Sequence, residues 1–187
     1  MSRRAAFVVV LLALSALVAL AHAQLPARFV APHRVRAARA VLAPALRARL
    51  ASDAAAAAPT TGDALVAFAL AHTAAQLHFG LAHRTSLHFD IAEREGNCVE
   101  YAELFAAILG RTRGALDVRA WVVRSDALVL GRAIPDPAWR DHDWALVRVR
   151  EGGVTSLRYL DPTLFDAGLS PDVSASIDGT VTPPRHH

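Results

Sequence analysis

Three side chains of this 187-residue sequence have the types that nucleophilic catalysis by a thiol requires, namely Cys98, His142 and Asp161. A thiolate that attacks a carbonyl carbon needs a base that manages its proton and later protonates the leaving group. That base needs an acceptor that fixes its tautomer and stabilises its cation. We therefore predict that Cys98 is a nucleophile, that His142 is its base and that Asp161 orients His142.

Cys98 is the only cysteine in the chain, so it cannot form an intramolecular disulfide bond. A lone cysteine is more often buried and inert than reactive, and its neighbours must decide between the two. Asn97 followed three residues later by Glu100 is the pattern of a capped helix start. Cys98 would then be the first residue inside a helix over Asn97 to Leu109, where unpaired amides and the helix dipole favour the thiolate.

The relation between His142 and Asp161 follows from a predicted β-hairpin. Glu151-Gly152-Gly153 is a strong turn signal between two strand-like segments. Folding the chain about a centre between residues 151 and 152 sets His142 directly opposite Asp161. Opposed residues on one face of a hairpin have Cβ atoms about 4.5–5.5 Å apart. The sequence therefore predicts a hydrogen bond from the His142 ring to Asp161.

The elements that must position these residues are helices in the first half of the chain and strands in the second. Helices are predicted over Val35 to Leu50, with a kink or break at Pro44, over Asp63 to about Phe79 after a start at Thr60-Thr61-Gly62-Asp63, and over the Cys98 segment. Strands are predicted over Leu116 to Arg124, Trp144 to Arg150 and Thr155 to Leu160, with a long connection over 125–141. This order predicts an α+β fold in which the helix that carries Cys98 packs on an antiparallel β-sheet.

The N-terminus has the pattern of a secretory signal peptide over residues 1–23. A short basic start at Ser2-Arg3-Arg4 precedes an apolar run from Ala5 to Leu20, and Ala21-His22-Ala23 is a typical cleavage site. A retained membrane anchor is the alternative, although the run is short for a membrane span. We therefore expect an exported protein, in the periplasm or outside the cell, with membrane contact only through an uncleaved signal segment.

The rest of the chain is expected to hold an Ala/Arg-rich helical segment over 24–60, a catalytic domain over 61–170 and an irregular tail over 171–187. All 20 basic residues are arginine, and 17 acidic residues leave a net charge of +3. Loss of residues 1–23 removes two arginines and no acid, which lowers the net charge to +1. The basic face of the 24–60 segment is expected to be solvated, and no nucleic-acid partner is predicted.

Three motifs resemble those of transglutaminase-like cysteine enzymes, over roughly residues 63–168. The segment from Glu95 to Ala102 is similar to their nucleophile helix, His142-Asp143-Trp144 to their His-x-Trp strand start, and Leu160-Asp161-Pro162-Thr163 to their Asp-Pro-Thr strand end. The chain order of cysteine, histidine and aspartate also matches that family. The resemblance implies a papain-like α+β architecture and a mechanism through a thioester, or acyl-enzyme, intermediate.

Two further residues are predicted to take part in the site. Gln76, or alternatively His78, would donate a hydrogen bond to an oxyanion, together with the backbone amide of Cys98. Trp144 would pack beside the His142 ring or contact a substrate. The histidines at positions 72, 78, 83 and 88 lack the i, i+4 spacing of a helical metal site, so neither a metal ion nor another cofactor is expected.

The sequence thus predicts an exported acyl-transfer enzyme that acts on amide bonds of a peptide or protein substrate. It leaves open whether the thioester passes to water, as in a peptidase or amidase, or to an amine, as in a transglutaminase. The alternative is a transglutaminase-like domain that binds or assembles in the cell envelope without catalysis. The complete set of three roles at Cys98, His142 and Asp161 favours the enzyme.

Overall fold

The computed structural model describes residues 27–29, 34–82, 84–129, 132–133 and 141–177. The predicted signal peptide over 1–23 and residues 178–187 of the predicted tail lie outside the described residues. Of the helices within the described ranges, none is both long and apolar enough to span a bilayer.

Helices dominate the first part of the described chain and strands dominate the second. The first part contains β1 (Ala27–Phe29), β2 (Arg34–Arg36), β3 (Val41–Leu42), α1 (Pro44–Ala57), α2 (Gly62–Gln76), β4 (Leu77–Phe79), β5 (His88–Phe89), β6 (Arg94–Gly96) and α3 (Cys98–Thr112). The second part contains β7 (Asp117–Val129), β8 (Arg132–Ala133), β9 (Asp141–Glu151), β10 (Val154–Leu160), the short helix α4 (Pro162–Asp166) and a 3-10 turn (Ser174–Ser176). The protein therefore has both helices and an antiparallel sheet, as the α+β prediction requires.

The main sheet is built around β7, which pairs antiparallel with β9 over Asp117 to Asp126. β9 pairs in turn with β10 through a hairpin that turns at Gly152-Gly153, where both glycines have positive φ. These three strands form the meander that the sequence predicts. The shorter strands β1, β2 and β8 also pair antiparallel with β7.

The helix α3 lies against both α2 and the sheet, and its apolar stripe forms the centre of the core. The predicted stripe is at most 1 % exposed, and comprises Tyr101, Leu104, Phe105, Ile108 and Leu109. These side chains pack with apolar residues of α2 and of the sheet, among them Leu65, Ala69, Val118, Ala145 and Val147. Full burial of a large apolar side chain stabilises a fold by about 1.5–3 kcal/mol. Cys98 therefore lies at the start of a helix whose apolar stripe is fully buried.

The predicted helix over Val35 to Leu50 is wrong in its first half. β2 and β3 are extended there, and α1 begins only at Pro44. Proline has no backbone N–H and fits the first position of a helix, so it starts α1 instead of kinking a longer helix. Before it, Val35 pairs with Val123 in the main sheet, and β3 pairs parallel with β5 in a separate two-stranded sheet.

The predicted connection over 125–141 is also shorter than expected. β7 continues to Val129 and β9 begins at Asp141, so Ser125 and His142 are paired strand residues. Polar residues in this extension interrupt the alternation of apolar and polar residues by which a strand is recognised in a sequence. His142 consequently lies inside a strand of the sheet rather than at the end of a loop.

Candidate active site

Cys98 is the first residue of α3, and the predicted capping box is present. The Asn97 side chain accepts a hydrogen bond from the Val99 amide at 3.0 Å, and Glu100 accepts one from the Asn97 amide at 3.1 Å. Glu100 is fully buried and also binds Arg94 at 2.8 Å. This ion pair fastens the segment before the helix to its first turn, so the position of Cys98 is fixed from both directions along the chain.

The β9–β10 hairpin brings His142 and Asp161 together in a register that differs from the predicted one. The turn is centred one residue later, so the last pair of the ladder is Ala145 with Leu160. Continued by one residue, this register places Trp144 opposite Asp161, and the predicted direct opposition of His142 and Asp161 is wrong. His142 lies on the same face as Trp144, two residues earlier, and a register shift of two keeps every side chain on its face.

The predicted hydrogen bond between the two side chains is nevertheless formed. His142 Nε2 lies 2.7 Å from Asp161 Oδ2. Asp161 follows β10 and caps α4, where its other oxygen, Oδ1, accepts a hydrogen bond from the Thr163 amide at 2.9 Å. Because each carboxylate oxygen has its own donor, the carboxylate has one fixed orientation toward the ring. Only 4 % of the Asp161 side chain is exposed.

Cys98 contacts the other side of the same imidazole. Burial lowers the pKa of His142, but hydrogen bonds with Asp161 and Cys98, together with their charges, outweigh burial and raise it to about 10. Since Nε2 faces Asp161, Nδ1 is the ring nitrogen that remains for Cys98. His142 is therefore protonated at neutral pH and lies between a carboxylate and the sulfur. The structure thus brings together the three residues that the sequence predicts to act as nucleophile, base and orienting acid.

Trp144 packs behind the imidazole. Its ring meets the His142 ring edge to face at 6.4 Å between centroids, and on another side it contacts Tyr159 at 5.8 Å. Because Trp144 is fully buried, it supports His142 from the interior. The predicted packing beside the His142 ring is present, and a direct substrate contact by Trp144 would require its exposure.

A hydrogen bond between Tyr101 and Asp166 links the two helices that begin next to the site. Tyr101 is fully buried in the first turn of α3, and its hydroxyl donates to Asp166 at the end of α4. Burial, together with this hydrogen bond, raises the pKa of Tyr101. The helix that begins with Cys98 and the helix capped by Asp161 are therefore tied to each other by a charge-assisted hydrogen bond.

Gln76 and His78 occupy different environments from those predicted for an oxyanion donor. Gln76 is buried at the end of α2, where its amide nitrogen donates to the Ala92 carbonyl and its oxygen accepts from Arg49 at 3.3 Å. His78 is exposed on β4, opposite Glu95 of β6. Both ends of the Gln76 amide are therefore engaged, and its role toward an oxyanion stays a prediction.

Two charged residues close to the site were not predicted from the sequence. Glu103 of α3 is fully buried and accepts hydrogen bonds from the Arg36 guanidinium and from the amides of Arg39 and Ala40. Arg36 is only 18 % exposed, so the expectation of a solvated basic face is wrong at this residue. An acidic residue between apolar helix positions is the signal in the sequence that indicates such a buried partner.

The second unpredicted residue is Arg124 of β7. Its guanidinium hydrogen-bonds to Asp141, and its NH1 lies 3.7 Å from the buried carboxylate of Asp143. Burial raises the pKa of Asp143 even though Arg124 lowers it.

Within the described residues, no group of three or more His, Cys, Asp or Glu side chains is arranged to hold a metal ion.

The pair of His142 and Asp161 makes a predictable contribution to stability as pH changes. The raised pKa of His142 means that its contribution is complete below about pH 6.5 and is lost as pH rises toward about 10. The hydrogen bond from His142 lowers the pKa of Asp161 despite burial, so its contribution is complete above about pH 4 and is lost at lower pH. The pair therefore stabilises the fold most between about pH 4 and 6.5.

We expect Asp161→Asn to lower the free energy of unfolding at pH 5.5 by about 2–3 kcal/mol, because the buried imidazolium loses its charged partner. Asparagine remains a good N-cap for α4, so the loss reports the ion pair and not the cap. Urea unfolding of the variant and the unmodified chain measures the difference. The loss of unfolding free energy should be smaller at pH 9.5 than at pH 5.5. An equal loss at both pH values would contradict the assignment of an ion pair between His142 and Asp161.

Comparison of the chain with protein-family models, with curated proteins and with solved structures gives no match. The resemblance to transglutaminase-like enzymes therefore stays a prediction.

Proposed function

We propose that this protein is an exported thiol-dependent enzyme of acyl transfer with a transglutaminase-like catalytic core, acting on amide bonds of peptides or proteins. The observation that supports this proposal most is the arrangement around His142, whose ring contacts Cys98 on one side and Asp161 at 2.7 Å on the other. Such an order of nucleophile, base and orienting acceptor is what catalysis by a thiol requires.

In the first half of the proposed reaction, the Cys98 sulfur attacks the carbonyl carbon of the amide. The C–N bond then breaks as the His142 imidazolium transfers its proton to the leaving amine. The products are a thioester on Cys98 and a free amine. The pKa of His142, raised to about 10, supplies the protonated ring that this step needs at neutral pH.

In the second half, neutral His142 removes a proton from water or from a second amine as that molecule attacks the thioester. The C–S bond breaks, the sulfur leaves as a thiolate and His142 regains its proton. Attack by water gives a peptidase or amidase, and attack by an amine gives a transglutaminase. Asp161 holds the ring orientation in both halves through its hydrogen bond to Nε2.

The site of action follows from the N-terminal pattern over 1–23, which indicates export. We propose that the enzyme acts in the periplasm or outside the cell on a peptide or protein substrate. Cys98 is partly accessible at the start of α3, as an attacking group must be.

Alkylation of Cys98 by iodoacetamide tests the proposal without knowledge of the substrate. An ordinary cysteine ionises near pH 8.5, so it reacts slowly at pH 6. We expect native Cys98 to react at pH 6 at least about tenfold faster than Cys98 of the same chain unfolded in urea, since the neighbouring imidazolium favours the reactive thiolate. A native rate equal to the unfolded rate would argue for the non-catalytic binding module.

A second measurement shows whether the acyl group passes to water or to an amine. Labelled peptides are incubated with the protein, with and without an added primary amine, and the products are separated by mass. Hydrolysis products alone identify a peptidase or amidase, and amine adducts identify a transglutaminase. Cys98→Ser is the control for both outcomes, because a serine hydroxyl is a weaker nucleophile in a site built around an ion pair.

A further inference from the structure

The position of Arg124 in the sheet places a positive charge beside the proposed site. In the ladder between β7 and β9, Arg124 pairs with Asp143, and the next residue, Ser125, pairs with His142. The Arg124 side chain is 38 % exposed, so it is partly accessible to a ligand. Neighbouring strand residues point to opposite faces, so Arg124 lies on the face of Val122, which packs on Ala102 and Ala106 of α3. Because Ala102 is one helical turn after Cys98, this face is the one on which α3 begins.

Electrostatic contacts of Arg124 indicate that it acts on the nucleophile itself. A hydrogen bond to Asp141 raises the pKa of Arg124, and the charges of Asp143, Asp141 and Cys98 add to this rise. A negative charge at Cys98 is therefore within the electrostatic range of the Arg124 guanidinium. The same attraction acts on any anionic group that a substrate brings next to the sulfur.

The carboxylates around Arg124 leave it with capacity for another anion. The hydrogen bond to Asp141 engages one amino group, NH2, and a guanidinium has five N–H donors in a planar fork. The second carboxylate, Asp143, is 3.7 Å from NH1, which is longer than a hydrogen bond. Planar forks of this kind recognise carboxylates through two parallel hydrogen bonds.

We propose that Arg124 is a specificity-determining residue that binds a carboxylate of the acyl donor next to the carbonyl attacked by Cys98. This inference rests on the proposed function and narrows its substrate class to peptides with a negatively charged group close to the reacting amide. Asp141 holds the guanidinium in place, and Arg124 supplies the donors.

Two alkylating reagents that differ only in charge test this proposal. Iodoacetate and iodoacetamide carry the same reactive carbon, but iodoacetate is an anion. A change in thiol reactivity or in access that affects both reagents alike leaves the ratio of their rate constants at Cys98 unchanged. We expect Arg124→Gln to lower the iodoacetate-to-iodoacetamide ratio at least about threefold relative to the unmodified chain, as the loss of one nearby charge predicts.

A matched control is available at the other end of the same two strands. Arg150 of β9 pairs with Asp117 of β7 and contacts its carboxylate at 3.6 Å. Arg150→Gln removes the same charge from the same sheet, far along the strands from His142, and should leave the ratio unchanged. An Arg124→Gln ratio equal to that of the unmodified chain would overturn the proposal.

A second variant keeps the test decisive if Arg124→Gln does not fold. Arg124→Lys retains the charge opposite Asp141 and loses the planar fork, and its ratio should lie below that of the unmodified chain. A ratio equal to that of the unmodified chain contradicts carboxylate recognition by the fork. Failure of the proposed function would be seen with iodoacetamide alone, because native Cys98 would then react no faster than an ordinary thiol.

Discussion

Replacement of His142 by alanine should slow the alkylation of Cys98 by iodoacetamide at pH 6 by at least about tenfold. The imidazolium is the positive charge in direct contact with the sulfur, and its pKa of about 10 keeps it protonated throughout the range below pH 8. Without it, the rise of the reaction rate should shift toward the pH range of an ordinary cysteine, near pH 8.5.

The measurement is a series of pseudo-first-order rates between pH 5 and 9 on the folded variant. His88→Ala is a suitable control, because His88 is exposed on β5 and takes no part in the proposed site. Its rates should equal those of the unmodified chain at every pH. A His142→Ala profile that overlies the unmodified one would remove the main support for an enzyme while leaving the fold unaffected.

Asp161→Asn should give an intermediate result in the same assay. The asparagine oxygen still accepts a hydrogen bond from the ring, but the charge that contributes to the raised pKa of His142 is absent. The imidazole should therefore lose its proton at a lower pH, and the rate advantage over an ordinary cysteine should be confined to the acidic end of the profile. This graded order of effects separates the orienting role of Asp161 from the direct role of His142.

Replacement of Glu103 by leucine should lower the free energy of unfolding by about 3–5 kcal/mol. The change leaves the Arg36 guanidinium and the amides of Arg39 and Ala40 without their buried acceptor. A buried donor without a partner costs more than its hydrogen bond contributed, because its lost hydration is not replaced. A loss of this size is a large share of the stability of an ordinary domain.

Urea unfolding followed by circular dichroism measures this loss. Glu103→Gln keeps one acceptor oxygen and should lose about half as much. Glu93→Gln serves as the control, since Glu93 is exposed and a surface change of this kind is usually within about 0.5 kcal/mol. A Glu103→Leu loss below about 1 kcal/mol would show that the N-terminal segment is anchored elsewhere. Folded Glu103→Gln should retain the rapid alkylation of Cys98, because Glu103 acts on stability.

The parts of the fold that were predictable from sequence are those governed by local rules. The capping box of Asn97 and Glu100 and the apolar stripe of α3 follow from residue types at fixed spacings, and both are present. The hairpin around Gly152-Gly153 was predictable for the same reason. Its exact register was not, because a turn with two adjacent glycines can close at more than one position.

The contact between His142 and Asp161 was predictable in spite of the wrong register. An error of two residues preserves the face on which each side chain lies, and the imidazole is long enough to reach a diagonal neighbour. The contact of Cys98 with His142 is different, because it joins a helix and a strand that are far apart in sequence. Such contacts depend on how α3 crosses the sheet, and no local pattern encodes that crossing.

The extended N-terminal segment shows where local rules fail. Alanine and arginine favour a helix, and this preference led to a helix predicted over Val35 to Leu50, whose first half is wrong. In the fold, Val35 joins the sheet and Glu103 binds Arg36, so pairing with β7 and the buried carboxylate outweigh the intrinsic preference. Tertiary contacts of this kind are read only from the structure.

The hydrogen bond between Tyr101 and Asp166 completes a closed loop of contacts around the proposed site. Starting at Cys98, the loop runs through His142 to Asp161, along α4 to Asp166, and back through Tyr101 into the first turn of α3. The nucleophile and the orienting acid are therefore connected by two independent routes, one through His142 and one through Tyr101 and Asp166. A displacement of α3 relative to α4 would have to break a hydrogen bond in one of them, so the separation of Cys98 and Asp161 is constrained twice.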